Sequence, residues 1–393
     1  MPRFEPFRGV RYNEARVDLS DVIAPPYDVI SPAEQATLEA RSPYNSVRID
    51  LPRGDHGVDR YDLAATKWQE WRADGILARD PRPAFYGYRM SFTDDTGNTR
   101  CTSGVIGALD LTGGGILPHE RTTPKPKGDR LYLLRATGVN TSPIWGLSPV
   151  SGLTEAIPDP PDPARSLADD EGVRHELWPI ADRQSCEHIT ALVSREPVIV
   201  ADGHHRYETG VAYHAEHPDR PGASAIMALL VELADEQLSV QAIHRVIRGL
   251  PAGLDLAAAL KPYFDIDVTS APDASIIDRM AATRALALHT PTGTWLLRPR
   301  PETEKAAEQD LDSSRLDVAL AALPDHDVVF QHSWDLTTRE VDDGHADAAI
   351  LLRPATVAQI AATGREGIRM PPKTTFFWPK PRTGLVFREL HGE

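Results

Sequence analysis

The run Ala201-Asp202-Gly203-His204-His205-Arg206-Tyr207-Glu208-Thr209 gathers a carboxylate, two imidazoles and a guanidinium around one glycine. It follows Glu196-Pro197-Val198-Ile199-Val200, which reads as an apolar strand, and the residues after it read as a helix. A strand, a glycine turn and a helix start place backbone N–H groups and the positive end of a helix dipole beside Arg206, an arrangement suited to phosphate. Gly203, His205 and Arg206 are therefore expected to hold phosphate, and Asp202 to hold a metal ion or take a proton. The plainer alternative is a capped turn with solvated histidines, although a turn alone needs no more than Asn-Gly or Asp-Gly.

A second polar cluster, Leu117-Pro118-His119-Glu120-Arg121-Thr122-Thr123-Pro124-Lys125-Pro126-Lys127-Gly128-Asp129-Arg130, is preceded by Gly113-Gly114-Gly115. His119 and Glu120 form an acid/base pair there, while Lys125, Lys127 and Arg130 could meet a negative ligand. A solvated run of loop charges is the alternative. Two further segments bear chemistry. In Ala24-Pro25-Pro26-Tyr27-Asp28-Val29-Ile30-Ser31 the prolines stiffen the approach to Asp28, and Ser31-Pro32-Ala33-Glu34 has the spacing of a capping box; a rigid turn is the competing reading. In Met370-Pro371-Pro372-Lys373-Thr374-Thr375-Phe376-Phe377-Trp378-Pro379-Lys380, the side chains of Lys373, Thr374, Thr375 and Lys380 could close over phosphate, or the segment could be an aromatic strand. His244-Arg245 reads as a hydrogen-bonded core histidine rather than a ligand. Neither GxxxxGK[ST] nor a strand-borne GxGxxG occurs, and the protein-kinase signatures are missing.

The positioning elements follow from periodicity. Tyr44–Leu51 alternates like a half-buried strand, and Tyr61–Asp74 carries Leu63, Ala64, Trp68 and Trp71 on one helical face. Pro83–Met90, the turn Asp94–Asn98 and Cys101–Leu111 form a hairpin, and Ala225–Leu233 is a buried strand, so that strand, motif, helix and strand follow in a βαβ-like order. Helices are expected at Leu256–Leu260, Ser275–Ala287 and Ala355–Ala362, and strands at Thr294–Arg298 and Ala348–Arg353. The proline and aspartate run 157–163 is a connection. This gives three regions: 1–150 with the His-Glu loop, 151–250 with the glycine motif, and a C-terminal α/β region 251–393.

Composition limits the function classes. The 393 residues, 41% hydrophobic and 25% charged, are those of a globular protein. Cys101 and Cys186 supply neither a disulfide framework nor a CxxC pair, so a reducing, cytoplasmic setting is expected. No apolar stretch of ~18 residues occurs, which argues against membrane insertion. A formal net charge of −15 argues against a nucleic-acid surface but leaves room for a local basic pocket.

Taken in order, Ala24–Ser31, Pro118-His119-Glu120 with Lys127 and Asp129-Arg130, Ala201–Thr209, and Pro372-Lys373-Thr374-Thr375 resemble the bacterial and archaeal family known as domain of unknown function 1015. Asp202-Gly203-His204-His205-Arg206 also resembles the phosphate-binding box of sulfiredoxin and of ParB-type proteins, a fold on which free serine kinases are built. His204 stands where sulfiredoxin has its reactive cysteine, which speaks against sulfinate repair. The resemblance implies a mixed α/β (α+β) fold with a ParB/sulfiredoxin-like nucleotide core and an additional C-terminal α/β region. It also implies phosphoryl transfer, with Mg²⁺, from ATP or ADP to a small hydroxy compound, free L-serine first. In that reading Asp202, Glu120 and His204 are catalytic, with Asp202 also the metal ligand. Gly203, His205, Arg206, Lys373 and Thr374 hold the nucleotide, and His119, Lys127, Arg130 and Asp28 hold the substrate. A metal-dependent hydrolase using His119, Glu120, Asp202, His204 and His205, and a noncatalytic nucleotide-binding regulator, are the alternatives.

Overall fold

A computed structural model describes residues 1–54, 59–94, 97–118, 124–161, 166–366, 370–371 and 373–391. The chain divides into two compact units, one made of 1–239 with 379–393 and the other of 240–378.

Among the described residues, nine strands form one sheet in the first unit. They are β1 (Phe4–Glu5), β2 (Phe85–Thr93), β3 (Thr99–Asp110), β4 (Ile116–Pro118), β5 (Ile144–Ser148), β6 (Ser166–Ala168), β7 (Arg174–Ile180), β8 (Val198–Asp202) and β9 (Ala225–Glu232). Their order is β4-β8-β5-β9-β3-β2-β7-β6, with β1 also pairing β3. Because strands from before residue 150 alternate in this sheet with strands after it, no boundary falls there, in contrast to the three-part division expected from the sequence. Phe4, Phe85, Val105, Ile144, Val198 and Leu230 pack against Ile189 and Val193 of the helix Arg183–Val193. Trp68 and Trp71 of the helix Arg60–Ala73 are buried, and Trp68 meets Phe387 edge-on.

The βαβ-like order has a different meaning in space. β8 pairs antiparallel with β5, and β9 pairs parallel with β5, so the helix His204–Glu216 joins two oppositely directed strands with β5 between them. A further difference lies at Tyr44–Leu51, where the structure has the short helix Val47–Asp50 instead of a strand. Asn45 is the cause: its amide donates to the carbonyls of Asp21 and Ile23 while its oxygen accepts from Val47 N at 3.0 Å, an arrangement that starts a helical turn.

The second unit holds an all-antiparallel six-stranded sheet: β10 (His244–Arg248), β11 (Phe264–Thr269), β12 (Leu286–Thr290), β13 (Gly293–Pro299), β14 (Asp327–Gln331) and β15 (Ala348–Leu351), in the order β11-β13-β12-β15-β10-β14. The helix expected over Ser275–Ala287 spans Ile276–Thr283 and stops at Arg284, whose φ of 51° is left-handed. Leu286-Ala287-Leu288 then joins the sheet, where pairing on both sides outweighs helical preference. No helix among the described residues is long and apolar enough to cross a membrane.

Candidate functional site

The glycine motif sits where sheet becomes helix. The register of β8 against β5 shifts between Val200 and Asp202, a bulge that re-aims the Asp202 side chain at the strand end. Gly203 follows with φ 84° and ψ 27°, caps the helix His204–Glu216 and leaves its first N–H groups without a side-chain cap. A Cβ on Gly203 would lie 2.9 Å from Arg206 Nε, so the glycine is needed for its left-handed backbone and also for the guanidinium that crosses it.

Arg206 is held from three directions. Its Nη1 donates to Ser142 Oγ at 2.9 Å and to the Pro143 carbonyl at 2.6 Å, and its Nη2 donates to Asp202 Oδ2 at 2.9 Å. The other carboxylate oxygen of Asp202 accepts from Lys380 Nζ at 2.5 Å. Burial pushes the Asp202 carboxyl up, but Lys380 and Arg206, with the nearby charge of His204, outweigh it and hold the acid far below the ordinary carboxylate range. One negative charge therefore stands between two positive ones at a helix N-terminus, a site with a net attraction for anions.

The segment Tyr27–Val29 brings Tyr27 over Arg130, whose guanidinium carbon is 4.0 Å from the ring centre. Burial, then the neighbouring Asp28, raises the Tyr27 hydroxyl well above its usual range, so it stays protonated. Arg130, expected on the substrate side, is 5% exposed and structural in its contacts: Nη1 donates to Asp50 O at 2.6 Å, and Nε and Nη2 donate to Asp129. Asp50 also accepts from Thr141 at 2.6 Å. Thus the Tyr27, Asp129-Arg130 and Asp202–Arg206 segments, distant in sequence, lie within one unit around the strand that starts at Ile144.

The other expected residues are placed as follows. His204 is buried and His205 half-buried on the first turn of the helix. Asp28 is exposed beside Tyr27. His119 and Glu120 lie outside the described residues, as does the side chain of Lys127. Lys373 and Thr374 belong to the second unit, where Lys373 has φ 59° and Thr374 Oγ1 donates to the Pro371 carbonyl at 2.8 Å. His244 is a core histidine: it is 3% exposed, accepts from Leu352 N at 3.1 Å, and is pushed down to about 3 by burial and by Arg245 and His332.

Sequence reasoning did not single out Asp50, Ser142 or the stretch of wall next to Lys380. Arg382, two residues on, donates to Asp169, whose other oxygen accepts from Glu171 N and Val173 N. His175 and Arg382 outweigh burial and lower Asp169 to about 2. Asp169 and Arg382 form part of a cavity of about 450 Å³, together with Ala24, Pro25, Arg41 and Asp170. Hydrogen bonds of 3.1 and 2.8 Å between Ala24 and Thr383 tie the two segments that run from this cavity toward Tyr27 and Lys380.

Over residues 4–319 the sequence matches the family described as Protein of unknown function (DUF1015). The chain belongs to that family. Among solved structures, this DUF1015 chain is similar to a conserved hypothetical protein from Pyrococcus furiosus (13% identity, 70% of this chain and 92% of that one, TM-score 0.39). It is also similar to free serine kinase in complex with AMP (13%, 72% and 92%, TM-score 0.39). A third is SbnI with C-terminal truncation from Staphylococcus aureus (13%, 71% and 85%, TM-score 0.38). No curated protein matches the chain.

Proposed function

We infer that the Asp202–Arg206 turn is a ParB/sulfiredoxin-like phosphate box and that the protein is a nucleotide-dependent phosphotransferase acting on a small hydroxy compound, free L-serine first. The observation that carries this reading is the uncapped helix start behind left-handed Gly203, flanked by the guanidinium of Arg206 and the ammonium of Lys380. Phosphoryl transfer asks mainly for positioning and positive charge, which these groups provide. His205 and the N–H groups of the first turn join them on the phosphates of ATP or ADP.

Asp202 orients both cations. A carboxylate held so far down is a weak proton acceptor, so the acceptor hydroxyl gives its proton to a carboxylate outside the pair, Asp28 or Glu120. Mg²⁺ would neutralise charge on the nucleotide phosphates; two of the roughly four lone-pair sites of Asp202 are taken by Lys380 and Arg206, so this carboxylate would hold the ion only through water. The 450 Å³ cavity of the same unit carries guanidinium and carboxylate groups that suit an acceptor with both charges.

The test is direct. With Mg²⁺, ATP or ADP and serine, phosphoserine should appear by phosphorus NMR, and Asp28→Asn or Glu120→Gln should slow it by ~10²–10⁴-fold. Nucleotide binding without phosphorylation of serine, threonine or homoserine would end the kinase reading in favour of a noncatalytic regulator.

A further inference from the structure

Arg382, two residues beyond the ammonium of the box, belongs to a buried polar network that the reading above leaves unused. Tyr88 of β2 stands opposite Leu177 of β7, and His175, two residues along β7, shares its face of the sheet. The Tyr88 and His175 rings stack with centres 6.0 Å apart, and Tyr88 Oη lies 2.8 Å from His175 Nδ1. His175 Nε2 lies 2.7 Å from Asp169 Oδ2, which also accepts from Arg382 Nε at 2.8 Å and from its Nη2. The main-chain N–H of Arg382 donates to Tyr88 Oη at 3.2 Å and closes the ring. The direction of each bond follows. Although burial raises it, His175 and Arg382 hold the Asp169 carboxyl at about 2, so this group only accepts. His175, lowered by burial, is neutral, carries its hydrogen on Nε2 and accepts from the Tyr88 hydroxyl at Nδ1.

Tyr88 and His175 are each 1% exposed and Arg382 7%. Burying this much polarity costs free energy that apolar side chains would not, and β2 and β7 already pair from Phe85–Ile180 to Ser91–Arg174 without it. What the polar set adds is a grip on one residue, since Arg382 is held by its guanidinium and by its main chain. Asp169 is itself fixed, because Oδ1 accepts from Glu171 N at 2.9 Å and Val173 N at 3.0 Å in the turn between β6 and β7. The run Pro379-Lys380-Pro381 leaves few free torsions between this grip and the ammonium: Pro381 fixes its own φ and restricts the backbone of Lys380. An anchor at Arg382 therefore governs where Lys380 Nζ can reach, and it reaches Asp202 Oδ1 at 2.5 Å.

We propose that Asp169, His175 and Tyr88 are positioning residues: acting through Arg382, they hold the Lys380 ammonium at Asp202 and thereby set how strongly the box binds nucleotide. The consequence for nucleotide rests on the phosphate-box reading and the positioning does not, so the experiment reads them separately. Full-length protein is treated with limiting acetic anhydride, and acetylation of Lys380 is followed by mass spectrometry against Lys67 of the same unit and exposed Lys305. Lys380, with its side chain 10% exposed, should react slowly in the wild type. In Asp169→Asn it should react ~10-fold faster while Lys67 and Lys305 stay unchanged. Tyr88→Phe, which keeps the ring and removes one hydroxyl, should give a rise of ~3-fold, and it decides if Asp169→Asn fails to fold. Calorimetry with AMP then reads the consequence. Either variant should weaken binding ~3–10-fold, but by less than ~2-fold when Lys380→Ala is already present, a dependence that a merely structural role would not produce. Unchanged protection of Lys380 in the folded variants, or an equal loss of AMP affinity with and without Lys380→Ala, overturns the proposal. Faster acetylation of Lys380 in protein whose wild type binds no AMP upholds the positioning and ends the phosphate-box reading.

Discussion

Lys380 and Arg206 divide the carboxylate of Asp202 between them, and this makes the three residues unequal under mutation. Arg206 also bonds Ser142 and Pro143, so its removal disturbs the fold as well as the ligand site. Arg206→Ala should abolish nucleotide binding and cost ~1–3 kcal/mol of stability, seen as a melting temperature lowered by several degrees. Lys380→Ala should weaken nucleotide binding ~10-fold or more with a smaller thermal effect. Asp202→Asn runs the other way: with the central negative charge gone, two cations face the ligand, and calorimetry should show tighter AMP binding than in the wild type. Weaker AMP binding by Asp202→Asn would mean that the aspartate contacts the ligand, directly or through a metal ion.

At the scale of elements, the left-handed turn and the bulge before it set the geometry. Gly203→Ala forces a Cβ against Arg206 and onto a backbone conformation that costs about 1–2 kcal/mol for an L-residue, so binding should fall together with melting temperature. Much of this element was legible: an apolar run, Asp-Gly and a helix start name a strand-turn-helix, and β8, Gly203 and the helix after it are what the structure has. The two-sided support of Arg206 was not legible, because it depends on which strand lies beside β8; β5 and the Ser142-Pro143 lead into it are chosen by long-range pairing. Tyr44–Leu51 misled for the opposite reason, since its alternation was overridden by the side chain of Asn45. In the second unit, β10 and the end of β15 are joined by Leu352 N donating to His244 Nδ1. Because His244 sits at about 3 in the fold and ~6.5 when unfolded, the unfolded chain takes up a proton first. Stability should be complete above pH ~6.5 and decline as pH falls toward about 3. His175, in the first unit, shifts in the same direction through burial, so comparing wild type with His244→Gln between pH 7 and 5 isolates the second-unit contribution: the variant should be less stable at pH 7 and lose less on acidification.

At the scale of the whole molecule, the second unit is contiguous in sequence and the first is not. Leu260, Phe264, Leu288, Leu297, Leu316 and Ile350 form a core inside 240–378, so that fragment should fold alone and melt cooperatively by circular dichroism. The fragment 1–239 lacks Lys380, Arg382 and Phe387, and should neither bind nucleotide nor reach the stability of the intact first unit; a cooperative, nucleotide-binding 1–239 would remove Lys380 from the box. The same arrangement has a temporal side. Asp202 and Lys380 are 178 residues apart, so at ~5–20 residues per second a ribosome needs roughly 10–35 s after making the aspartate to supply its second cation. A nascent chain spends that interval with Asp202 and Arg206 present and the ammonium missing, so on the proposed reading nucleotide capture waits for residue 380 to be made.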